Sequence, residues 1–455
     1  MDTPESWYDR LVAQFDDSKD NNWRKIMVGS ETKRTLLQKI LKKIHKQLDD
    51  DIILCPDPME IFAFTRYTNL KHTRAGIIGQ DPYPSSHAMG LCFSSLEDSI
   101  PKSFEMIHKA LVAQKCIPVT MKTADLRGWA CQGVLLINTS FSTTKGNTKA
   151  HSDLWADYFD MILKSLIKYL DARPGMFSTI WMLWGGDAVK KQSIIEENSR
   201  WGKHTVLTWG HPSTMANHNK DPTNPQYFGK CDHFLKVVKI TKQEWGLPLY
   251  WDSIGRDIEC FTDGSTEPNR LCPEAESGYG VIFRKGPLKG LTVGGKCDNR
   301  TTDAAGKLRY TSNIRAEGEA LIRAFEEVDK LADDMWDSLH VVLDCEFYKK
   351  LIEDYIPGWL SDNIKFTERA NDDINTKLWK LYRKFVNKEK KITIEHVRSH
   401  KKRPNVKKGS REYDLWYWNE YVDRVAKFSR EYFTSEESPV TSFSFVKDYF
   451  DTLVI

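Results

Sequence analysis

The stretch Arg74-Ala-Gly-Ile-Ile-Gly79-Gln80-Asp81-Pro82-Tyr83-Pro84 decides how this chain is read. Its apolar half reads as a buried parallel strand, since a short uncharged run bounded by turn formers suits a strand covered on both faces. Its polar half then delivers an acid, two prolines and an aromatic ring to the carboxyl edge of a sheet, where open α/β folds bind ligands. Pro82 and Pro84 fix their own φ angles and disfavour helix in the residues before them, so a stiff loop presents Asp81 and Tyr83. Taken alone, Gly79-Gln80-Asp81-Pro82-Tyr83-Pro84 also fits an ordinary strand-to-helix turn.

Outward from this stretch, strand patterns alternate with helical ones. Val134–Ile137, Thr179–Trp184 and His204–Thr208 read as further strands, with helices over Ser103–Ala113 and Asp153–Leu170. That alternation predicts a parallel sheet with helices on both faces. Ahead of it, residues 1 to about 55 carry apolar residues at helical spacing, as in Thr35-Leu-Leu-Gln-Lys-Ile-Leu-Lys-Lys-Ile44. The unit closes with Trp245-Gly-Leu-Pro-Leu-Tyr-Trp251, and Ile258-Glu-Cys-Phe-Thr262 opens a fresh order. There the pattern runs strand, glycine turn, strand (Gly278–Arg284), strand (Gly290–Val293), helix (Arg315–Ala332), strand (Leu339–Leu343), helix, strand (Ile392–Val397), helix (Asp414–Phe428). The expected organisation is an α/β protein of two domains, 1–252 and 258–433, joined by a linker at 253–257 and followed by an acidic, aromatic tail at 434–455.

Composition narrows the class. At 455 residues the chain has room for two or three cores, and 40% hydrophobic with 28% charged residues is ordinary for a soluble protein. A formal net charge of +3 does not announce a nucleic-acid binder. Basic surface must come from clusters such as Lys401-Lys-Arg403 with Lys407, Lys408 and Arg411. No early apolar run suits a signal peptide and no stretch suits a membrane span, so no membrane partner is expected. Nine scattered cysteines without a Cys-x-x-Cys pair fit a reducing compartment and argue against structural zinc. The expected location is intracellular and soluble, with nucleus and cytoplasm not distinguished.

Four more motifs follow the opening stretch in order: Gly90-Leu-Cys-Phe-Ser94, Ile100-Pro-Lys-Ser103, Gly133-Val-Leu-Leu-Ile-Asn138 and His211-Pro-Ser213. Together with Gly79-Gln80-Asp81-Pro82-Tyr83 they resemble the main family of uracil-DNA glycosylases, from about Trp7 to Trp251. The resemblance implies a parallel-sheet α/β/α glycosylase fold that acts on uracil-containing DNA without a cofactor. It implies that Asp81 orients the attacking water and stabilises a sugar cation, and that His211 bonds uracil O2 as charge develops there. Asn138 would pair with the uracil edge, an amide offering donor and acceptor together. Gln80, Phe93 and Tyr83 would complete the uracil-binding pocket, with Phe93 stacking on the ring and Tyr83 filling the place of a thymine methyl. Pro101, Ser103 and Ser213 would grip the DNA backbone, and Met215 would wedge into the base stack where leucine is usual. Read singly, these residues fit plainer roles: a loop-capping acid, a loop histidine, core aromatics. Three departures thin the grip on DNA: Pro84 replaces the usual histidine, while Gly186 and Ala216 replace usual serines.

The second half carries four acids. Asp263 lies in Phe261-Thr-Asp-Gly-Ser265, read as the end of a strand beside a tight turn. Glu317 starts a helix, Asp344 ends the strand Val341-Val-Leu-Asp344, and Asp423 lies in Asn419-Glu-Tyr-Val-Asp423 on the last helix. Any one of them reads as a solvated acid. With Val397-Arg-Ser-His400 they resemble the ribonuclease H family over about Ile258 to Glu431, implying a mixed-sheet fold that cleaves the RNA of RNA–DNA hybrids. The resemblance makes Asp263, Glu317, Asp344 and Asp423 the ligands of two Mg²⁺ ions, or Mn²⁺ in their place, since gathered carboxylates call for cations. His400 would assist product release or proton transfer, and Asn313 would contact the hybrid's minor groove. Glu319 is a less well matched alternative to Glu317.

The tail motif Val446-Lys-Asp-Tyr449-Phe450 has the spacing of sliding-clamp ligands but lacks the leading glutamine, Phe443 standing there instead. Docking onto its own domain is the favoured reading. The sequence thus favours a bifunctional enzyme of DNA maintenance. Its rival keeps both folds but makes the glycosylase half a DNA-holding scaffold within a replication complex.

Overall fold

The computed structural model describes residues 3–16, 22–50, 52–97, 99–117, 123–173, 178–245, 248–253, 255–268, 272–298, 300–302, 308–361, 371–398, 402–407 and 410–434. They fall into two compact units, Met1–Ile254 and Gly255–Ile455. His400 and the expected clamp motif lie outside the described residues.

In the first unit, helix α1 (Glu31–Asp49) precedes strand β1 (Ala75–Gly79), and Ser30 caps it by accepting from the Lys33 N–H. Helix α2 (Lys102–Ala113), strand β2 (Val134–Asn138), helix α3 (Ser152–Asp171), strands β3 (Thr179–Trp184) and β4 (His204–Trp209), and helix α4 (His233–Trp245) follow. The strands pair in the order β2-β1-β3-β4, all parallel. Every residue of β1, β2 and β3 is buried, so both faces of the sheet are covered, which is what their unbroken apolar runs demand. Strand order reverses between β1 and β3, and a cleft opens at the carboxyl ends of such a pair.

Aromatic rings fill much of this core. Phe62, Phe141 and Trp155 meet edge to face at 5.1–5.9 Å between centroids. Trp251 stands edge-on to Trp129 at 4.8 Å and donates from Nε1 to the Phe234 carbonyl, so the chain just short of the second unit is built into the first core.

The second unit is built from β5 (Asp257–Glu267), β6 (Glu276–Lys285), β7 (Thr292–Cys297), α5 (Asn313–Asp329), β8 (Ser338–Leu343), α6 (Asp372–Val386), β9 (Lys391–His396) and α7 (Arg411–Tyr432). Its five-stranded sheet runs β9-β8-β5-β6-β7. β8 is parallel to β9 and β5, while β6 is antiparallel to β5 and β7, making a mixed sheet.

Two local expectations are corrected. Asp263-Gly264 is not beside a turn: the strand continues to Glu267, with Asp263 opposite Gly280 and Gly264 opposite Tyr279. Gly264 serves contact instead, because a Cβ there would sit 2.3 Å from the Glu317 nitrogen and 2.4 Å from the Ala316 carbonyl carbon. Helix α5 therefore packs backbone against backbone on β5. The third strand covers Thr292–Cys297 rather than Gly290–Val293, since Gly294 and Gly295 pair with Gly280 and Tyr279 and tertiary pairing overrides their weak strand preference.

Candidate active sites

In the first unit, the loop after β1 places Asp81 at the carboxyl edge of the sheet. Its Oδ1 accepts from Gln80 Nε2 at 2.9 Å and its Oδ2 from the Lys149 main-chain N–H at 2.6 Å. Burial pushes the Asp81 carboxyl above its ordinary 3.8, while these two donors pull it back. Gln80 is held in turn by its carbonyl, which accepts from Thr139 Oγ1 and the Ser140 N–H. Its side chain, expected on a base, is directed at Asp81.

Asn138 ends β2 directly opposite Gly79, the last residue of β1. Gly79 has to be a glycine: a Cβ would come 2.2 Å from Asn138 Oδ1 and 2.7 Å from Cys92 Cβ. The missing methyl is what lets a 95%-buried carboxamide occupy the mouth of the sheet. One residue past Cys92, Phe93 adopts φ 60°, a backbone state costing a bulky residue about 1–2 kcal/mol. Its ring centroid lies 5.6 Å from that of Trp184 and 6.1 Å from that of His211.

His211 follows β4. Its Nδ1 accepts from the Ser213 N–H at 3.0 Å, so the neutral ring carries its proton on Nε2. Burial, then neighbouring His218, lowers its pKa below 6.5, leaving the ring neutral at pH 7. Asn219 Nδ2 donates to the carbonyls of both His211 and Ser213, fixing the loop. The loop projects Met215, 78% exposed, into solvent. Tyr83 and Ser103 share a hydroxyl hydrogen bond at 2.7 Å, and Pro101 is the residue preceding α2. Asp81, Asn138, Phe93 and His211 thus come from four chain segments to one edge of one sheet.

Lys149 and Asp187, which sequence reading passed over, stand close enough to Asp81 to act on its carboxyl by charge. Lys149, at φ 63°, sends its ammonium to Asp187 at 3.1 Å, and Lys190 reaches the other Asp187 oxygen at 3.0 Å. Neither belongs to a recognisable local pattern, and Lys149 gave no signal because a lysine in the left-handed region is not legible in sequence. At Gly186 a Cβ would meet nothing within 4 Å.

In the second unit, Asp263 and Glu317 are each 4% exposed, and with Asp344 they offer oxygens all within 4.8 Å of one another. Burial and mutual repulsion drive the carboxyls of Asp263 and Glu317 well above the ordinary range. Asp263 Oδ2 and Glu317 Oε2 have no hydrogen-bond partner among the described residues. Buried, crowded oxygens of this kind fit a bound divalent cation, hard and oxygen-seeking, in composition and in spacing. Asp423 lines the same cleft of about 540 Å³, as does Asn313, but its Oδ2 accepts from Lys427 Nζ at 2.6 Å. Glu319 is brought elsewhere: it pairs with Arg323 at 2.9 Å and lines a different cleft. Arg411, expected in the basic cluster, is held by Glu259 and Glu395. No helix among the described residues is long and apolar enough to cross a membrane.

Residues 65–236 match the family model described as Uracil DNA glycosylase superfamily, and residues 255–429 match that described as RNase H. The chain is 30% identical over 233 residues to a uracil-DNA glycosylase of Histophilus somni (strain 2336), covering 50% of this chain and 99% of the relative. It is 31% identical over 236 residues to that of Equine herpesvirus 2 (strain 86/87), covering 50% and 87%. Against the crystal structure of mimivirus uracil-DNA glycosylase the TM-score is 0.43 at 26% identity, over 50% of this chain and 85% of that one.

Proposed function

Because the chain belongs to the uracil-DNA glycosylase family and carries an RNase H domain in its second unit, we propose that it is bifunctional, hydrolysing the N-glycosidic bond of uracil in DNA and cutting the RNA strand of RNA–DNA hybrids. The observation that carries the first activity is the gathering of Asp81, Asn138, Phe93 and His211 at one sheet edge. Excision needs the base out of the stack, a negative charge beside the sugar and a donor at the base oxygen. Met215 is exposed enough to fill the vacated stack. Phe93 offers a face for the flipped ring, and the Asn138 amide reads its edge. The His211 Nε2–H, uncharged at neutral pH, donates to the oxygen on which negative charge grows. Asp81, ionised, faces the sugar as positive charge develops and orients the attacking water.

The second activity rests on the three carboxylates with two unpartnered oxygens. Asp263, Glu317 and Asp344, with Asp423 alongside, would hold two Mg²⁺ or Mn²⁺ ions. Such ions supply activation of water and stabilisation of the leaving oxygen. This chain's own residues position the strand: Asn313, at the start of α5, borders the same cleft and is suited to a minor-groove contact. Lys427 keeps Asp423 oriented, and Arg430, bonded to Ser265 Oγ, adds positive charge at the rim.

The deciding experiment follows uracil release and hybrid cutting side by side in wild type, Asp81→Asn and Asp263→Asn, with and without chelator. Release lost only in the first variant, and cutting lost only in the second and in chelator, is the expected result. Tight DNA binding with no release in wild type would make the first unit a scaffold and leave the ribonuclease as the sole enzyme.

A further inference from the structure

We propose that a second cleft in the RNase H unit binds an unpaired nucleotide of the strand flanking the carboxylate centre; this rests on the hybrid-cutting reading above. The cleft, about 550 Å³, lies between the end of β9 and the amino-terminal half of α7. That is large enough for a nucleotide-sized ligand. Its position relative to the acids follows from α7 itself. Trp416, which lines it, stands two helical turns before Asp423 on the same helix face, about 10 Å along the axis. At its other wall His396 donates from Nε2 to the Asp344 main-chain carbonyl at 3.1 Å, so the cleft abuts the strand end that carries a carboxylate. A chain crossing the acids reaches it within one or two nucleotides.

The lining has the parts a nucleotide requires. Trp416 is half-buried and offers a ring for stacking, braced edge-on by Tyr413 with centroids 5.6 Å apart. Arg398 and Lys402 supply positive charge for a phosphate. Asn419 is 6% exposed, and its Oδ1 has no hydrogen-bond partner among the described residues. A buried, unsatisfied amide oxygen is costly in a finished fold and suits a site completed by a ligand donor. Glu412 and Glu420 also border the cleft and can accept from base N–H groups, which a phosphate alone does not have. Glu395 is occupied by His340 and Arg411 and takes no part. The mixture of ring, amide, acid and base fits a whole nucleotide better than an inorganic anion.

The test uses the full chain with Ca²⁺ as the only divalent cation, which holds cutting back while hybrids bind. The probes are a blunt RNA–DNA hybrid and the same hybrid with a short purine RNA overhang carrying 2-aminopurine. Wild type should bind the overhung hybrid at least about fivefold more tightly and quench the 2-aminopurine. Trp416→Ala should lose both effects while binding blunt hybrid as wild type does, and Trp416→Phe should keep them. Equal affinity for both hybrids, or quenching that survives in Trp416→Ala, overturns the proposal. Quenching that depends on Trp416 in a protein with no grip on the blunt hybrid would support the cleft and strike the hybrid reading instead. Binding of neither probe overturns both.

Discussion

Asp81 Oδ2 accepts the main-chain N–H of Lys149 at 2.6 Å, a bond spanning 68 residues of sequence. The donor is backbone, so it remains whatever side chain stands at 149, and the lysine ammonium is free to pair with Asp187. This bond and the Gln80 amide hold the carboxylate in one orientation against the cost of its burial.

Asp81→Asn preserves the shape but removes the charge and turns one of the two accepting oxygens into a donor. Uracil release measured under single turnover is expected to fall by at least about 100-fold, with chelator leaving the wild-type rate unchanged. A loss under tenfold would mean that another group does the work assigned to Asp81.

Lys149→Gly keeps the N–H and relieves a left-handed backbone that costs an ordinary residue about 1 kcal/mol. Urea denaturation should show stability unchanged or raised by up to about 1 kcal/mol, and release should persist because the bond to Asp81 persists. Loss of release with retained stability would transfer the role to the ammonium.

The pH profile of release follows from the two opposing shifts. Asp81 must be ionised, and burial raises its pKa above 3.8, so the acid limb should appear above the ordinary aspartate range. His211 is lowered below 6.5, so it stays neutral as pH falls through that value and adds no loss there. A limb at or above 6.5 that His211→Gln abolishes would contradict this assignment.

Gly186→Ser tests the thinned grip on DNA. A Cβ meets nothing within 4 Å there, so the serine folds without strain. DNA affinity by fluorescence anisotropy should rise by about two- to tenfold, one added phosphate hydrogen bond being worth about 0.5–1.5 kcal/mol. Unchanged affinity would place this loop away from the phosphates.

Asp263→Asn removes one of three crowded carboxylates. Hybrid cutting should vanish while uracil release is untouched. The second unit should melt at a higher temperature than wild type in chelator, because like charges no longer repel. Mg²⁺ should then raise the melting temperature of wild type more than that of the variant.

The sequence by itself determined the strand order's raw material and the presence of both enzyme families. Apolar runs such as Ala75–Gly79 and Thr179–Trp184 declare buried strands through local periodicity, and Asp344 declares itself by directly following one. Motifs whose chemistry depends on neighbours in the chain were equally legible. Tertiary structure alone decided which distant groups meet. It joined Lys149 to Asp81, set Gly79 against Asn138, and turned Gly264 from an expected turn into a seat for the Glu317 backbone. It also separated Glu317 from Glu319, which two positions along a helix cannot face the same way, and gave Asp423 to Lys427. Local pattern records which face of an element is apolar; the partner across that face is chosen by packing over the whole core, where close backbone approach and buried charge outweigh any single residue's preference.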